Sequence, residues 1–495
     1  MGPAGPADDE RLRVRALKKA VFALVLGLLA VVAWFIFLRE DDRPNVILIS
    51  IDSLRPDHLG CYGYGRDTSP RIDQLAREGA LFETVVSSSS WTLPAHAALF
   101  TGLPDRAHGC YYDDRWLDGS RTTIAEAFRE AGYNTAGFYS GPYLSPHFGF
   151  AQGFDWYRDC TSYSRETIQK IQDETLIGET GMGMDVMVRS HRDITNPIVY
   201  EEVMEWADEK LERPFFLFIH LWDVHYDYVP PPPFDTRFDP GYKGPVDGEN
   251  VLSAALRPES WTDADVEHLK ALYDGEIAST DDTLGKILDE FARRGLRDTS
   301  VIAVTADHGE AFYEHGAHGH RLSLFDEEIR IPLVIRYPPS VPSERRIAHP
   351  ASIIDIAPTL LDLVGVPPLL DAIGRSLRPL LGQSGATLAE MEEVEAVCEL
   401  KVPHHNNHKF ALRSSSAKVI FDLSKNKVLL YDLIQDPGEQ SPLQGADAAK
   451  EGERYEKEAE RLKDAAQRLP AVGKRDTPEI KGMTIQQLRD HGYLR

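Results

Sequence analysis

The chain has 495 residues, an ordinary globular composition and a formal net charge of −24 at pH 7. This length suits one large α/β domain, with or without a smaller companion, and the composition excludes a wholly disordered chain. The acidic balance argues against nonspecific DNA or RNA binding, which needs a basic surface. It is compatible with a small anionic substrate, because a binding site needs only local positive charge.

The first predicted element is a membrane span. Residues 21–38, VFALVLGLLAVVAWFIFL, carry no charge, and a helical rise of about 1.5 Å per residue makes them just long enough to cross a hydrocarbon core. Basic residues precede this segment and acidic residues follow it. The positive-inside rule therefore predicts a cytoplasmic N-terminus (1–19), a single transmembrane anchor (20–38) and a catalytic part outside the cytoplasm, either periplasmic or extracellular.

Two alternatives to an uncleaved anchor are a cleaved signal peptide and a buried core helix. A signal peptide needs a small-x-small cleavage site after its apolar run. Bulky Trp34, Phe35 and Phe37 stand there instead, so we expect an uncleaved single span.

The segments after residue 44 alternate between strand-like and helix-like patterns. The strand candidates are continuous apolar runs, typical of parallel strands covered on both faces; they are Asn45 to Ile51, Thr135 to Tyr139, Phe215 to Ile219, Ser300 to Thr305 and Pro332 to Ile335. The helix candidates are Ile72 to Glu78, Ile124 to Ala131, Pro197 to Leu211 and Asp263 to Arg294. This alternation predicts a large, mainly parallel α/β sheet flanked by helices over residues 44–385. Functional sites in such folds lie at the carboxyl ends of the strands.

After residue 386 the pattern changes to that of a smaller subdomain. An acidic stretch leads to three short β-like segments, which are Phe410 to Arg413, Lys418 to Leu423 and Val428 to Leu433. A polar, amphipathic helix is predicted over Glu451 to Arg468. We therefore expect a C-terminal β-hairpin/α subdomain and tail over residues 386–495. The four cysteines, at positions 61, 110, 160 and 398, are too few and scattered for a disulfide scaffold, although one disulfide stays open.

Polar motifs follow the predicted strands. Asp52 comes directly after the first strand, and Asp307 and His308 close a later one. Two carboxylates and one imidazole suit a divalent cation with an open position. Thr92 stands shortly before a predicted helix, whose N–H donors and dipole favour an anionic group. A hydroxyl bound to a cation beside such donors is an activated nucleophile, so these residues predict an ester-transfer site.

An ordered series of segments resembles landmarks of the sulfatase family, within the alkaline-phosphatase superfamily. The segments are NVILISIDSLRPDHLGCYGY, TSPRIDQLAREGALFE, TLPAHAALFTG, YDGEIASTDDTLGKIL, TADHGE, FDEEIRIPLVI, DIAPTLLDLVGV and YDLIQDPGEQ. They extend from residue 44 to about residue 440, and the ordered set is far more specific than any one of them. The resemblance implies an alkaline-phosphatase/sulfatase-like fold and an ester hydrolase.

The resemblance also implies roles for particular residues. By position, Asp52, Asp307 and His308 are metal ligands, and Thr92 is the nucleophile and a fourth ligand. His225, together with His320 or Arg321, is placed around the bound sulfuryl or phosphoryl group, where a histidine protonates the leaving group. The implied cofactor is one divalent cation (Ca²⁺, Mg²⁺, Mn²⁺ or Zn²⁺), and the implied substrate is an anionic sulfate or phosphate ester.

Three positions depart from the pattern of formylglycine sulfatases. The residue oxidised to formylglycine in those enzymes is Cys or Ser, whereas Thr92 is a β-branched alcohol that cannot give the aldehyde. His96 stands at the arginine position of the same motif, and Ser53 follows Asp52 where many sulfatases have a second aspartate. We therefore expect no formylglycine. The Thr nucleophile resembles that of phosphodiesterases and phosphoglycerol transferases, which favours phosphoester chemistry over sulfate-ester chemistry.

One cation is favoured over two. Two-metal relatives have a further Asp/His set, for which Asp223, His225 and His318 are the candidates, but Asp223 is one residue too close to His225 for the expected Asp-x-x-x-His spacing. His315, His318 and His320 lie in a glycine-containing loop, so each could instead be a solvated side chain.

The leading prediction is a metal-dependent hydrolase that uses Thr92 on a phosphate or sulfate ester outside the cytoplasm. One alternative is a phosphoglycerol-type transferase acting on envelope glycans, although such transferases usually have several membrane spans. Another is a non-catalytic, membrane-tethered binding protein, against which the retained metal and nucleophile residues argue. The leaving group, the metal identity and the oligomeric state stay open.

Overall fold

The computed structural model describes residues 42–111, 115–161, 194–249, 251–254, 256–382, 395–402 and 407–443, with isolated positions within 19–24 and 453–469. The chain divides into two compact units, Met1–Arg43 and Pro44–Arg495. Most of the predicted span at 21–38 and much of the predicted helix at 451–468 lie outside the described residues. Among the described helices, none is both long and apolar enough to cross a membrane. The predicted boundary near residue 386 also falls outside the described residues and stays a prediction.

The larger unit is built from strands and helices that alternate along the chain. The described strands are β1 (Asn45–Ile51), β2 (Ala80–Val86), β3 (Asn134–Tyr139), β4 (Trp156–Asp159), β5 (Phe215–Leu221), β6 (Ser300–Ala306), β7 (Ala311–Phe312), β8 (His318–Gly319), β9 (Arg330–Arg336), β10 (Arg345–Ile347), β11 (Ala351–Ser352), β12 (Ala396–Val402), β13 (Asn407–Arg413), β14 (Ala417–Asp422) and β15 (Lys427–Asp432). The described α-helices are α1 (Pro70–Glu78), α2 (Thr92–Thr101), α3 (Asp105–His108), α4 (Ile124–Glu130), α5 (Asn196–Glu209), α6 (Asp263–Arg293), α7 (Asp326–Ile329), α8 (Ile356–Leu363) and α9 (Arg378–Leu381).

The central sheet has the strand order β10-β2-β9-β6-β1-β5-β3-β4, with β11 beside β2. The pairs β1–β5, β1–β6, β3–β5, β3–β4, β2–β10 and β2–β11 are parallel. Strand β9 runs antiparallel to both β2 and β6, so the sheet is mixed rather than simply parallel. The apolar run predicted as β9 could not reveal this direction, because a strand buried on both faces has the same composition either way.

Local sequence signals explain where the principal helices begin and end. Helices α4 and α6 each begin at a threonine that forms a capping box with the third helical residue, Thr123 with Glu126 and Thr262 with Asp265. Helix α2 is buried along its whole length, and it ends at Gly102, which has a left-handed φ of 65°. The burial of α2 fixes the position of Thr92 at its first turn.

The C-terminal part of the described chain contains the antiparallel sheet β12-β13-β14-β15. Three of these strands were predicted and β12 was not. The sheet packs in the same compact unit as the larger sheet. The backbone N of Glu399 in β12 donates to the carbonyl of Ser88, and the hydroxyl of Ser89 donates to the carbonyl of Glu399. The Glu399 carboxylate also pairs with Arg106 at 2.9 Å.

Candidate active site

The carboxyl ends of two neighbouring strands and the start of one helix meet at a buried point. Asp52 follows β1, and Asp307 and His308 follow β6, which pairs in parallel with β1. Thr92 is the first residue of α2, and its Oγ1 lies 3.4 Å from Oδ2 of Asp52 and 3.3 Å from Nε2 of His308. Nε2 of His308 lies 3.4 Å from Oδ2 of Asp307. The structure thus brings together the four residues that the sequence predicted as metal ligands.

Short hydrogen bonds hold these ligand atoms in place. Ser53 donates from Oγ to Oδ1 of Asp52 at 2.8 Å and from its backbone N to Oδ1 of Asp307 at 3.2 Å. Its left-handed φ of 55° directs both groups toward the carboxylates. Nδ1 of His308 donates to the carbonyl of Gly309 at 2.8 Å, so Nε2 presents its lone pair to the cluster.

The two carboxyl groups have opposite pKa shifts. Burial opposes ionisation of Asp52, but the neighbouring imidazoles of His220, His225 and His308 hold its pKa well below the usual range. Burial, and then the charge of Asp52, raise the pKa of Asp307 to about 6. A cation beside both carboxylates would favour their ionised forms.

Two further histidines lie on the inner side of the cluster, and sequence reasoning gave neither a role. His96, one turn after Thr92 on α2, donates from Nδ1 to the Thr92 carbonyl at 3.0 Å, and its Nε2 lies 3.0 Å from Oγ of Ser50. His220 is near the end of β5, in register with Ser50 of β1, and its Nε2 lies 3.4 Å from Oδ2 of Asp52. The signal that could have found His220 is this position at the carboxyl end of a strand adjacent to β1.

The donor set fits a divalent cation. In the described part of the chain, the ligand atoms of two groups lie within 4.8 Å of one another: Asp52, Asp307 and His308, and His96, His220 and Asp307. Oδ2 of Asp307 is buried without a hydrogen-bond partner among the described residues. An unpaired carboxylate oxygen is costly in a protein interior, and a cation would satisfy it.

His225 and His320 stand beside this cluster, as predicted for groups that surround the substrate. The ring of His320 lies 4.4 Å from that of His308 and 5.1 Å from that of His225, measured between centroids. Nδ1 of His225 donates to the carbonyl of Tyr226 at 2.7 Å. Burial lowers the pKa of His225 to about 4, so its imidazole is neutral at pH 7.

Arg321, the other predicted contact of the transferring group, lies against aromatic side chains next to the nucleophile. Its guanidinium carbon is 4.0 Å from the centroid of the Trp91 ring, and its Nη1 donates to the hydroxyl of Tyr143 at 3.3 Å. The backbone N of Arg321 donates to Ser90 at 2.9 Å, and the residue has a left-handed φ of 64°. Cation–π contact and these bonds hold a positive charge close to the start of α2.

Each histidine of the loop that contains His320 contacts a neighbouring polar side chain. Nδ1 of His320 lies 3.1 Å from Oε1 of Glu310, and the hydroxyl of Tyr228 donates to Oε2 of the same carboxyl at 3.0 Å. His318 contacts that tyrosine hydroxyl at 3.3 Å. His315 binds Glu327 at 2.6 Å instead.

Among the described residues, Asp223, His225 and His318 do not form a group whose ligand atoms lie close enough together to hold a cation. Oδ1 of Asp223 accepts hydrogen bonds from N and Oγ1 of Thr195, and Oδ2 accepts one from N of Asn196 at the start of α5. This bonding assigns Asp223 to the beginning of a helix, so it does not form a cation site with His225 and His318.

Comparison with known proteins identifies the family. The sequence model of the Sulfatase family matches residues 44–366, and the model described as "N-sulphoglucosamine sulphohydrolase, C-terminal" matches residues 313–467. Arylsulfatase K of Danio rerio is 25% identical over 452 residues, covering 85% of this chain and 84% of that protein. N-acetylglucosamine-6-O-sulfatase of Bacteroides thetaiotaomicron is 23% identical over 488 residues, covering 83% and 85%.

A solved structure gives the same fold. The phosphonate monoester hydrolase of Agrobacterium radiobacter superimposes with a TM-score of 0.68 at 24% identity, covering 88% of this chain and 100% of that one. The family match covers well over half of the chain and includes the two strand ends that carry Asp52, Asp307 and His308. The chain therefore belongs to the sulfatase family and is an ester hydrolase of the alkaline-phosphatase superfamily.

Proposed function

We propose that the chain is a metal-dependent hydrolase of phosphate esters in which Thr92 is the nucleophile. The observation that carries this proposal is the position of the Thr92 hydroxyl. It stands at the first residue of a buried helix and lies within 3.4 Å of both Asp52 and His308. A helix start favours an anionic group at that point, so a phosphoryl group bound there would face the hydroxyl.

The identity of the nucleophile favours phosphoryl over sulfuryl transfer. Formylglycine is an aldehyde made from Cys or Ser, and Thr92 is a secondary alcohol that cannot give one. The alcohol itself must then attack, as in phosphoryl transfer through a phosphothreonine. His96 replaces the arginine of the formylglycine motif and bonds to the backbone of Thr92, which is consistent with this change of chemistry.

The reaction then needs one proton carrier. A bound divalent cation would lower the pKa of the Thr92 hydroxyl and offset charge on the transferring group. Thr92 gives its proton to neutral His225 and attacks phosphorus, which forms the Thr92–phosphoryl bond and breaks the bond to the leaving oxygen. His225 returns the proton to that oxygen. In the second half a water gives a proton to His225, attacks phosphorus, and Thr92 leaves and takes the proton back.

Substitution of the nucleophile tests the mechanism. Thr92→Ala should lower kcat/KM for aryl phosphate mono- and diesters by about 10⁴-fold or more, and Thr92→Ser should retain part of the activity. The wild-type protein, quenched during turnover, should carry the transferred group on the peptide that contains Thr92, as detected by mass spectrometry. Full activity of the Thr92→Ala protein would refute the mechanism.

Sulfate esters are the second candidate substrates. The names of the relatives favour this alternative, since both are sulfatases and one acts on N-acetylglucosamine-6-O-sulfate esters by its name. A panel of phosphate mono- and diesters, phosphonates and sulfate esters, assayed with Ca²⁺, Mg²⁺, Mn²⁺ and Zn²⁺, decides between the two. A kcat/KM higher for sulfate esters than for every phosphorus ester would overturn the preference for phosphoryl transfer.

We also propose that residues 21–38 anchor the enzyme in a membrane, with the catalytic unit outside the cytoplasm. The support is the uncharged run of 18 residues between a basic and an acidic flank. Membrane fractionation, followed by protease treatment of intact cells or spheroplasts, tests the location. A catalytic unit that is protected by intact cells and recovered in the soluble fraction would refute it.

A further inference from the structure

His220 is fully buried between β1 and the segment after β3, and one of its two nitrogens has a fixed role. Nδ1 of His220 lies 2.9 Å from the carbonyl oxygen of Ser140, which can only accept a hydrogen bond. Nδ1 therefore carries a proton. In a neutral imidazole the other nitrogen, Nε2, then presents a lone pair.

The lone pair of His220 faces the carboxylates. Nε2 of His220 lies 3.4 Å from Oδ2 of Asp52 and has no hydrogen-bond partner among the described residues. Oδ2 of Asp307 is likewise without one. Acceptor atoms that face each other in a buried site repel unless a proton or a cation lies between them.

His96 does not share this property. One of its nitrogens donates to the Thr92 carbonyl and the other lies at hydrogen-bond distance from the Ser50 hydroxyl, so both have protein partners. The group of His96, His220 and Asp307 is therefore not a second complete cation site. Of the two histidines in that group, His220 is the one whose Nε2 has no hydrogen-bond partner among the described residues.

We propose that His220 is a fifth ligand of the catalytic cation, which joins Asp52, Thr92, Asp307 and His308 around one ion. This inference rests on the metal-dependent part of the proposed function. Ligand atoms around a single ion are neighbours at about 3–4 Å, given metal–ligand distances near 2 Å. The 3.4 Å separation from Nε2 of His220 to Oδ2 of Asp52 has this size, and the ligand atoms of His220 and Asp307 lie within 4.8 Å of each other. The separations from Asp307 to His308 (3.4 Å) and from Thr92 to His308 (3.3 Å) are of the same size.

A second imidazole changes which cation the site selects. Calcium, magnesium and manganese prefer oxygen ligands, whereas zinc, cobalt and iron accept imidazole nitrogen readily. Both His220 and His308 donate from Nδ1 to a backbone carbonyl, the arrangement that orients a metal-binding histidine. The site is therefore one for a nitrogen-accepting transition metal rather than for Ca²⁺.

The main experiment measures metal binding by the full-length protein, not its activity. The metal-free protein is titrated with Zn²⁺, Co²⁺ and Ca²⁺ against a chelator of known affinity, and bound metal is counted by mass spectrometry. We expect one Zn²⁺ or Co²⁺ per chain, bound more tightly than Ca²⁺. His220→Gln should weaken Zn²⁺ and Co²⁺ binding by about 100-fold or more and alter the visible spectrum of bound Co²⁺, with Ca²⁺ binding nearly unchanged.

The matched control is His349→Gln. His349 is also buried, its Nδ1 bonds to the carbonyl of Pro350 at 2.8 Å, and its Nε2 also lacks a hydrogen-bond partner among the described residues. It differs from His220 in lying away from the Asp52–Asp307 pair. His349→Gln should leave Zn²⁺ and Co²⁺ affinity within a few-fold of wild type; an equal loss in both variants would overturn the assignment.

A measurement on the unaltered protein covers the case in which the His220 variant does not fold. X-ray absorption of the Zn²⁺-loaded wild type should show two imidazole ligands. One imidazole, wild-type Zn²⁺ affinity in His220→Gln, or two bound ions per chain would overturn the proposal. If the wild type binds no divalent cation, the proposed function fails as well. If the wild type binds one cation and Thr92→Ala is inactive, but His220→Gln keeps wild-type Zn²⁺ affinity, only the assignment of His220 fails.

Discussion

Two buried clusters of charged side chains lie in the same compact unit, and their negative charges have different neighbours. Asp326 pairs with Arg413 at 2.8 Å and with Lys418 at 2.9 Å, and the same lysine pairs with Glu439 at 2.8 Å. Asp52 and Asp307 have imidazole, hydroxyl and N–H groups around them instead. No lysine or arginine of the described chain lies within ion-pair distance of these two carboxylates.

This difference distinguishes a cluster that stabilises the fold from a cluster that the proposed function uses. In the cluster around Asp326, protein cations neutralise the protein anions, so nothing further is needed for stability. In the cluster around Asp52, the protein places two carboxylates together, and we propose that a bound cation neutralises them. Natural proteins accept such local instability at sites that bind or react, and equivalent substitutions in the two clusters should therefore have different effects.

The largest expected effect is the loss of activity in Asp307→Asn. Asparagine keeps the shape but removes a charge that the cation needs, so we expect kcat/KM to fall by about 10³-fold or more with loss of Zn²⁺ binding. The metal-free variant should be as stable as metal-free wild type, or more stable by about 1 kcal/mol, because an unpaired carboxylate disappears. Urea unfolding with chelator present measures this. If the metal-free variant were clearly less stable than metal-free wild type, Asp307 would have a structural role like that of Asp326.

The same substitution in the other cluster should act on stability. Asp326→Asn leaves buried Lys418 and Arg413 with one carboxylate fewer, and we expect a loss of about 3–5 kcal/mol in the free energy of unfolding. Activity per folded molecule should stay within about two-fold. Lys425→Met is the control, since its exposed side chain pairs with Asp422 only at 3.8 Å and should contribute less than about 1 kcal/mol. A stable but inactive Asp326→Asn protein would contradict the comparison.

Added cation should supply the stability that the catalytic cluster lacks. Zn²⁺ at a free concentration of 1,000 times its Kd should stabilise the wild type by about 4 kcal/mol, measured as a rise in the unfolding midpoint. Asp307→Asn should lose most of this rise. Asp326→Asn should show the full rise, although its unfolding midpoint without the cation is lower than that of the wild type. An equal rise in all three proteins would show that the cation binds elsewhere.

Sequence reasoning located much of the fold and the four residues that meet at the candidate site, and the reason is physical. A buried parallel strand is a continuous apolar run, and the polar residue after it is at a sheet edge where sites form. Asp52 and Asp307 both obey that rule, and β1 and β6 are neighbours. The direction of β9 and the strand β12 were not predicted, because apolar composition carries neither direction nor pairing partner.

The inner histidines escaped prediction for a different reason. His220 directly follows the strand predicted over Phe215 to Ile219 and lies near the end of the observed β5, but its sequence position alone does not reveal that its side chain lies beside Asp52. Its position opposite Ser50, two residues before Asp52, exists only once the register of β1 and β5 is known. Asp223 is a sequence candidate only for the disfavoured second metal set, and the fold shows that its carboxylate accepts hydrogen bonds from Thr195 and Asn196 at the start of α5.

The smallest predicted effect concerns His315, at the border of the structural cluster. Its Nδ1 lies 2.6 Å from Glu327 and its Nε2 lies 3.0 Å from the carbonyl of Glu439, so both nitrogens donate in the protonated form. Burial lowers the pKa of His315, but Glu327 outweighs it and the pKa is raised above 6.5. A raised pKa means that the stabilisation is complete below pH 6.5 and is lost as the pH rises through the folded-state value. The free energy of unfolding of the wild type should therefore decline above pH 6.5. This decline should be less than about 1 kcal/mol, because the pair is partly exposed, and it should be absent in His315→Gln. Urea midpoints between pH 6 and pH 9 measure it, and the same decline in both proteins would assign it to another group.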